Sequence, residues 1–249
     1  MTVVGNLAGK IAFVTGGSRG IGAAIARRLA RDGAAVAFTY VNSSSRAADV
    51  KATIEAQQGR ALAIRADSAN PDALRSAVAE TVEQFGRLDV LVNSAGIALT
   101  GPIGDYALED FDRMVSTNVR PLFVATQAAL PHMAAGGRII AIGSTMADRT
   151  IFPGASVYAM TKAAIASLVR GMAIDLAARQ ITINTVQPGP TATDMSPADG
   201  PRADHLKGLI PLKRLGHEDE VAGLVAYIAS PEAGFVTGAA LTINGGMSA

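Results

Sequence analysis

Residues 156 to 165 read SVYAMTKAAI, which places one of only four tyrosines four positions ahead of a lysine, among small and apolar side chains. On an α-helix, positions i and i+4 lie one above the other on one face, so Tyr158 and Lys162 can point into one pocket. A phenol titrates near 10, and proton transfer at neutral pH asks for a drop of about 2 to 3 units, roughly 3 to 4 kcal/mol. A cation about 5 Å away, at an effective dielectric near 20, supplies about 3 kcal/mol. The pair is therefore matched in magnitude to an activated proton donor. The same ten residues also describe a tyrosine packed in a core beside a solvated lysine, and the rest of the chain has to decide between the two.

A second stretch with chemical content is TGGSRGIG, residues 15 to 22, which runs from an apolar segment into a helical one. Glycines let the chain turn sharply and let backbone N–H groups approach a pyrophosphate, whose charge a helix N-terminus favours. Gly16, Gly20 and Gly22 follow G-x-x-x-G-x-G, not the G-x-G-x-x-G of the general dinucleotide fingerprint. Packing alone also produces such turns. Position after the first strand favours a cofactor role.

The elements that must hold these residues are legible as alternation. Apolar runs at 11 to 15, 34 to 40, 61 to 66, 88 to 93, 138 to 144, 181 to 187 and 240 to 244 read as strands. Between them lie stretches with apolar residues at helical spacing, including IGAAIARRLARDG, PDALRSAVAETVEQFG and EDEVAGLVAYIAS, several of which end at glycine. Near-continuous apolar strands alternating with helices predict a doubly wound α/β fold: a parallel sheet covered on both faces, with ligands at the carboxyl ends of the strands. One domain spanning residues 1–249 is expected, without repeat or linker. The least patterned stretch, 188 to 208, reads as a substrate-covering loop.

Composition narrows the partners. With 22 basic and 21 acidic residues the net charge is +1, and no block of like charge occurs, so no nucleic-acid partner is expected. The chain has no cysteine, which excludes disulfides and thiolate chemistry and suits a reducing compartment. The first residues, MTVVGNLAGK, do not form a leader, and no uncharged apolar run approaches membrane-spanning length, so a cytoplasmic protein without a membrane partner is expected. His132, His205 and His217 lack metal-ligand spacing and read as surface residues; no metal is expected. Neither G-x-S-x-G, H-E-x-x-H nor G-K-[ST] occurs in the place its chemistry needs, which argues against hydrolase and nucleotide triphosphatase readings.

TGGSRGIG, then NSAG at 93 to 96, Ser144 lying 14 residues before YAMTK, and PGPTATDM at 188 to 195 together resemble the short-chain dehydrogenase/reductase family, over nearly the whole chain. Within it, the likeness is greatest to the 3-oxoacyl-acyl-carrier-protein reductase and hydroxynaphthalene reductase type. The resemblance implies a Rossmann fold with a seven-stranded sheet, a nicotinamide cofactor and a homotetramer. It implies a catalytic set of Asn118, Ser144, Tyr158 and Lys162. In it the tyrosine is the acid, the serine orients the substrate oxygen, the lysine lowers the phenol pKa and holds the nicotinamide ribose, and the asparagine supports a water-linked proton relay. By themselves Ser144 and Asn118 read as a strand-end turn and a helix-interior polar residue.

The cofactor is read from the end of the second strand. NAD-binding units usually carry an acidic residue there, for the ribose 2′-hydroxyl. AFTYVNSSSRAA offers only neutral and basic side chains at 38 to 46, so NADP(H) is expected, with Arg19, Asn42 and Ser43 as the phosphate contacts and Tyr40 beside them. A solvent-facing Arg19 and a serine-rich loop that merely turns is the other reading. Ser18 and Ile21 complete the glycine turn. By resemblance, Asp67 and Ser68 flank the adenine, Asn93, Ala95 and Gly96 pass beside the cofactor, and Pro188, Gly189, Thr191 and Thr193 cover the nicotinamide carboxamide. Asn93 also reads as a turn cap.

Around the reacting carbon the expected residues are Ile97, Leu99, Met146, Ile151, Phe152 and Met195, with Ser144 and Tyr158 at the carbonyl. Their apolar character favours a neutral, fairly hydrophobic ketone of small or medium size. A carrier-bound 3-oxoacyl substrate is the alternative; it asks for a basic rim, yet HMAAGGR carries alanines at 134 and 135 and leaves Arg179 as the remaining candidate. A non-catalytic NADP(H)-sensing protein is the alternative from another class. Two alanine-rich segments, 107 to 133 and 156 to 179, correspond to the helices that pair between subunits in relatives.

Overall fold

Seven strands form the main sheet: β1 (Ile11–Val14), β2 (Ala35–Tyr40), β3 (Ala61–Arg65), β4 (Val90–Asn93), β5 (Arg138–Ile142), β6 (Thr182–Pro188) and β9 (Ala240–Ile243), of which the inner five are buried on both faces. They pair side by side into one parallel sheet in the order β3-β2-β1-β4-β5-β6-β9. The computed structural model describes residues 6–194, 196–200 and 203–249. A second, two-stranded sheet joins β7 (Thr191–Ala192) to β8 (Gly216–His217).

The strands feed two cores. In β1, Ala12 and Val14 belong to the cluster under α1 (Gly20–Arg31) and α8 (Glu218–Ala229), while Ile11 and Phe13 belong to the opposite cluster, under α3 (Pro71–Phe85), α5 (Arg120–Ala129) and α6 (Ser156–Leu176). Successive side chains of a strand point to opposite faces, and helices cover both here, which is why these strands read as continuous apolar runs. Phe13 is fully buried, so Phe13→Ala would cost about 3–5 kcal/mol. The remaining helices are α2 (Ser44–Ala56), α4 (Leu108–Asn118) and α7 (Ala203–Leu209).

Helix ends follow local signals. Asn70 caps α3 by accepting hydrogen bonds from the N–H groups of Asp72 and Ala73, Pro71 occupies the first turn, and Gly86 stops the helix at φ +90°. All three histidines are exposed, and His217 shares a capping box with Glu220 at the start of α8.

The structure departs from the sequence reading in two segments. Residues 107 to 133 are two helices and a short 3₁₀ turn: Pro121 has no N–H to continue the ladder, and the break falls at Val119, directly after Asn118. The stretch from 188 to 208 is more than a loop, since it contains β7 and the start of α7. With its 3₁₀ extension α6 is long and apolar enough to cross a membrane, but 44% of its apolar window is buried and it packs against β6.

Candidate active site

The sheet order reverses direction between β1 and β4, whose carboxyl ends therefore open into a crevice. Two buried threonines brace the turn that enters it. Thr15 Oγ1 accepts hydrogen bonds from the N–H groups of Ser94 (2.9 Å) and Ala95 (3.0 Å), and Thr39 Oγ1 accepts one from Gly16 N–H (3.0 Å). Gly16 and Gly20 have φ of +68° and +52°. A Cβ at Gly22 would lie 2.2 Å from the Gly16 carbonyl oxygen, and one at Gly16 2.9 Å from Ala95 Cα. Any side chain there would break the turn.

Over this turn lies a cavity of about 860 Å³. Gly16, Ser18, Arg19, Gly20, Ile21 and Gly22 form its floor; Tyr40, Asn42, Ser43, Asp67 and Ser68 line one end. Ala95 and Gly96 lie at the middle, and Pro188, Gly189, Thr191 and Thr193 form a wall. Asn93 is different. It is buried and is not among the residues that line the cavity, and its Oδ1 accepts a hydrogen bond from the Thr15 hydroxyl at 3.5 Å.

The cavity fits a dinucleotide phosphate. Helix α1 has no side-chain cap and no acidic residue in its first turn, so its leading N–H groups face the floor without an internal anion. The size falls within the range of about 300–1,000 Å³ usual for ligand sites. Beyond β2 the wall is Tyr40, Val41, Asn42 and Ser43, without a carboxylate.

At the other end stand the residues with proton chemistry. Ser144 follows β5 and caps a 3₁₀ turn, its Oγ accepting from Met146 N–H at 3.1 Å. Tyr158 and Lys162 come from consecutive turns of α6, and all three line the cavity. The Lys162 Nζ lies 5.6 Å from the centre of the Tyr158 ring and donates to the Ile142 carbonyl at 2.9 Å. A Cβ at Gly96 would lie 3.7 Å from that Nζ.

Asn118 is placed behind this set, not in the cavity wall. It is fully buried; its Oδ1 accepts from Ile97 N–H (2.9 Å), and its Nδ2 donates to the Ile97 carbonyl (2.9 Å) and to Thr161 Oγ1 (3.1 Å). The Thr161 hydroxyl in turn donates to the Tyr158 carbonyl at 2.7 Å. Asn118 thus ties the end of α4 to the strand-end loop and to α6.

Burial raises the Tyr158 pKa above its ordinary value, and the group that opposes this is Ser144, through a side-chain hydrogen bond. Lys162 is itself perturbed. Its own burial lowers its pKa from 10.5 to about 8, because an ammonium withdrawn from water is destabilised and no carboxylate bonds to it.

Ile97, Met146, Ile151 and Phe152 line the cavity together with Ser144 and Tyr158. Leu99 does not; its N–H and carbonyl are engaged by Met114 and Tyr106. Met195 lies outside the described residues. Ala134, Ala135 and Arg179 precede β5 and β6 and so sit at the edge of the sheet opposite the cavity, where Arg179 donates to the carbonyls of Leu130 and Met133. They are therefore no guide to a basic rim in this chain.

Several participants escaped the sequence reading. Thr39 carries no motif of its own, and Thr15 opens TGGSRGIG without any sign there that it braces the turn. Arg46 in α2 pairs with Asp194 beyond β7, joining two sides of the cavity mouth across 148 positions of sequence. Leu206 and Met247 also line the cavity. Nothing local in the sequence marks these residues, because each contact is long-range.

Related chains share the architecture. A short-chain dehydrogenase/reductase from Serratia marcescens is 55% identical, covering 98% of this chain and 100% of that one, with a TM-score of 0.96. A short-chain dehydrogenase from Burkholderia cenocepacia, solved in complex with NADP, is 51% identical at the same coverage and TM-score. The cyclic-di-GMP-binding biofilm dispersal mediator protein of Escherichia coli is 45% identical over 99% of this chain and 100% of its own length. The family model described as enoyl-(acyl carrier protein) reductase matches residues 16–248. With that match running from the first glycine of the turn to the segment beyond β9, the chain belongs to the short-chain dehydrogenase/reductase family.

Proposed function

We propose that this chain is an NADP(H)-dependent ketoreductase that interconverts a small or medium, fairly hydrophobic ketone and its secondary alcohol. The observation that carries the reading is the convergence of Ser144, Tyr158 and Lys162 at one end of a cavity whose other end is a glycine turn under a helix N-terminus. Arg19 in the floor, with Asn42 and Ser43 at the end of β2 where no carboxylate follows the strand, favours the 2′-phosphorylated nucleotide. Bound there, NADPH would supply the hydride. Tyr158 donates its phenolic proton to the carbonyl oxygen, and its raised pKa keeps that proton in place at neutral pH. The Ser144 hydroxyl donates a hydrogen bond to the same oxygen and orients it. Lys162, mostly protonated below its pKa of about 8, stabilises the phenolate left behind and binds the nicotinamide ribose. Asn118 holds α6 in register for this and supports the proton return.

The substrate end carries Ile97, Met146, Ile151 and Phe152, with no charged side chain near them among the described lining residues except Lys162 and Asp194, which favours a neutral substrate. The whole stretch acts as one cytoplasmic domain. Exposed Leu108, Phe111, Phe123, Met160 and Ile174, on α4, α5 and α6, support assembly into a homotetramer through those helices.

A 3-oxoacyl-acyl-carrier-protein reductase is the second enzymatic reading, and a non-catalytic NADP(H)-sensing protein the reading from another class; the 45% identity to a cyclic-di-GMP-binding mediator favours testing the latter. Purified protein with NADPH is assayed against a ketone panel, a 3-oxoacyl carrier, an enoyl thioester and cyclic-di-GMP. Carbonyl-dependent oxidation of NADPH, faster than with NADH and fastest with free ketones, is expected. Faster turnover of the carrier substrate or the enoyl thioester would replace the reading, and nucleotide binding without any turnover would leave the sensor.

A further inference from the structure

Beyond β9 the chain doubles back. Gly245 and Gly246 both take positive φ, +64° and +87°, and Asn244 accepts from Gly246 N–H through its side chain (3.0 Å) and from Met247 N–H through its carbonyl (3.3 Å). The turn is pressed against its neighbours: a Cβ at Gly245 would lie 2.7 Å from Ile210 Cγ2, and one at Gly246 3.1 Å from Pro211 Cγ. Its position is tied twice more, by Leu212 N–H to the Gly245 carbonyl (3.2 Å) and by Gly189 N–H to the Ile243 carbonyl (2.9 Å). The second bond connects it to the cofactor wall.

The product of this turn is a buried Met247, 6% exposed, packed with Leu206, Ile210 and Leu215 and lining the cavity. Ile151 packs against that cluster and also against the cluster that holds Met146 and touches Tyr158. Ile151 thus links the cluster that holds Met247 to the cluster against which Tyr158 packs, and all three residues line the one cavity.

We propose that Met247 is a specificity-determining residue whose side chain, braced from behind by the two-glycine turn, limits the apolar group a ketone can carry away from its carbonyl. This rests on the ketoreductase reading. An unbranched thioether fills such a gap and accepts the edge of an aromatic ring, so the favoured class is an aryl ketone without charge. The braced backbone keeps the wall from retreating, which makes side-chain volume at 247 the variable that sets the limit.

The test measures kcat and KM for phenyl methyl ketone and 2-naphthyl methyl ketone, at saturating NADPH, in wild type, Met247→Ala, Met247→Leu and Met247→Phe. Met247→Ala is expected to raise the naphthyl-to-phenyl ratio of kcat/KM about tenfold, chiefly through KM, and Met247→Phe to lower it; Met247→Leu should stay within about threefold of wild type. The KM for NADPH should not move. A ratio that is the same in all four proteins overturns the proposal, as does an equal loss of kcat on both ketones. Should Met247→Ala fail to fold, the Leu and Phe variants, which keep the cluster filled, decide the matter by themselves. If wild type reduces neither ketone, the ketoreductase reading fails. The size limit is then judged by titrating both ketones into the protein–NADPH complex and following nucleotide fluorescence: a size order that shifts with the residue at 247 upholds it, and an unmoved order overturns it.

Discussion

Lys162→Met should make the protein more stable at neutral pH while abolishing turnover. The ammonium is buried, and its pKa falls from 10.5 to about 8. At 1.36 kcal/mol per unit, that displacement costs the folded state about 3 kcal/mol wherever the lysine is charged in both states. Its hydrogen bond to the Ile142 carbonyl returns about 1 to 2 kcal/mol, which methionine forfeits. The variant should therefore gain about 1 to 2 kcal/mol at pH 7, or roughly 2 to 8 °C in Tm for a chain of this size. The sign of the pH dependence follows from linkage. Between about pH 8 and 10.5 the unfolded chain binds more protons than the folded one at this position, so wild-type stability rises with pH through that window. Below the window the full cost is present. The variant lacks this contribution, so its advantage should shrink as pH rises above about 8 and reverse between about pH 9 and 10. Thermal melts of both proteins without nucleotide, at one protein concentration and three pH values, read the difference directly. A variant less stable than wild type at pH 7, or a stability difference that does not change with pH, would refute the argument from burial.

Tyr158→Phe should lower kcat by about 10²–10⁴-fold with NADPH affinity retained, measured by turnover and by fluorescence titration. Ser144→Ala should lower kcat by about 10²–10³-fold. Since the Ser144 hydrogen bond is what opposes the upward pull of burial on the phenol, the residual ketone reduction should also persist to higher pH than in wild type, because the donor keeps its proton longer; a basic limb that stays put or moves down would contradict this. Arg19→Ala should reduce the preference for NADPH over NADH by about tenfold without changing kcat for the ketone; an unchanged ratio of the two kcat/KM values would remove Arg19 from phosphate recognition. Asn118→Ala should destabilise the fold by about 2 to 4 kcal/mol, read by urea unfolding, because three buried partners lose their bonds at once.

How much of this is legible in the sequence depends on the range of the contact. Strand β1 announces itself because both faces are buried and IAFV reads as an unbroken apolar run, whereas β6 is buried throughout although four of its seven residues, in TINTVQP, are polar. The glycine turn and the Tyr158–Lys162 spacing are local, and local geometry survives in sequence. What fails to show depends on where distant segments meet. Asn93 and Asn118 lie in recognisable motifs, yet both sit behind the cavity wall, and nothing in their neighbours distinguishes a wall residue from a brace. Met247 lies in a glycine-rich segment whose role appears only when Ile210 and Pro211 are seen behind it. Spacing reveals that the lysine is near the phenol and so suggests that it governs the phenol; burial, which raises one group and lowers the other, is a property of the packed state.

The reversal of strand order between β1 and β4 has a wider bearing. Every side chain offered for reading the nucleotide's adenosine half, from Arg19 to Ser68, lies before residue 70, whereas Ser144, Tyr158, Lys162, Leu206 and Met247 all lie after residue 140. The two groups meet where β1 pairs with β4 through three facing pairs of residues, where α1 packs against α8, and where Arg46 pairs with Asp194. Exchange of the leading portion between homologues would swap one coenzyme for another while the trailing portion went on choosing what is reduced. Such separability lets a lineage diversify its substrates without relearning how to hold its reductant.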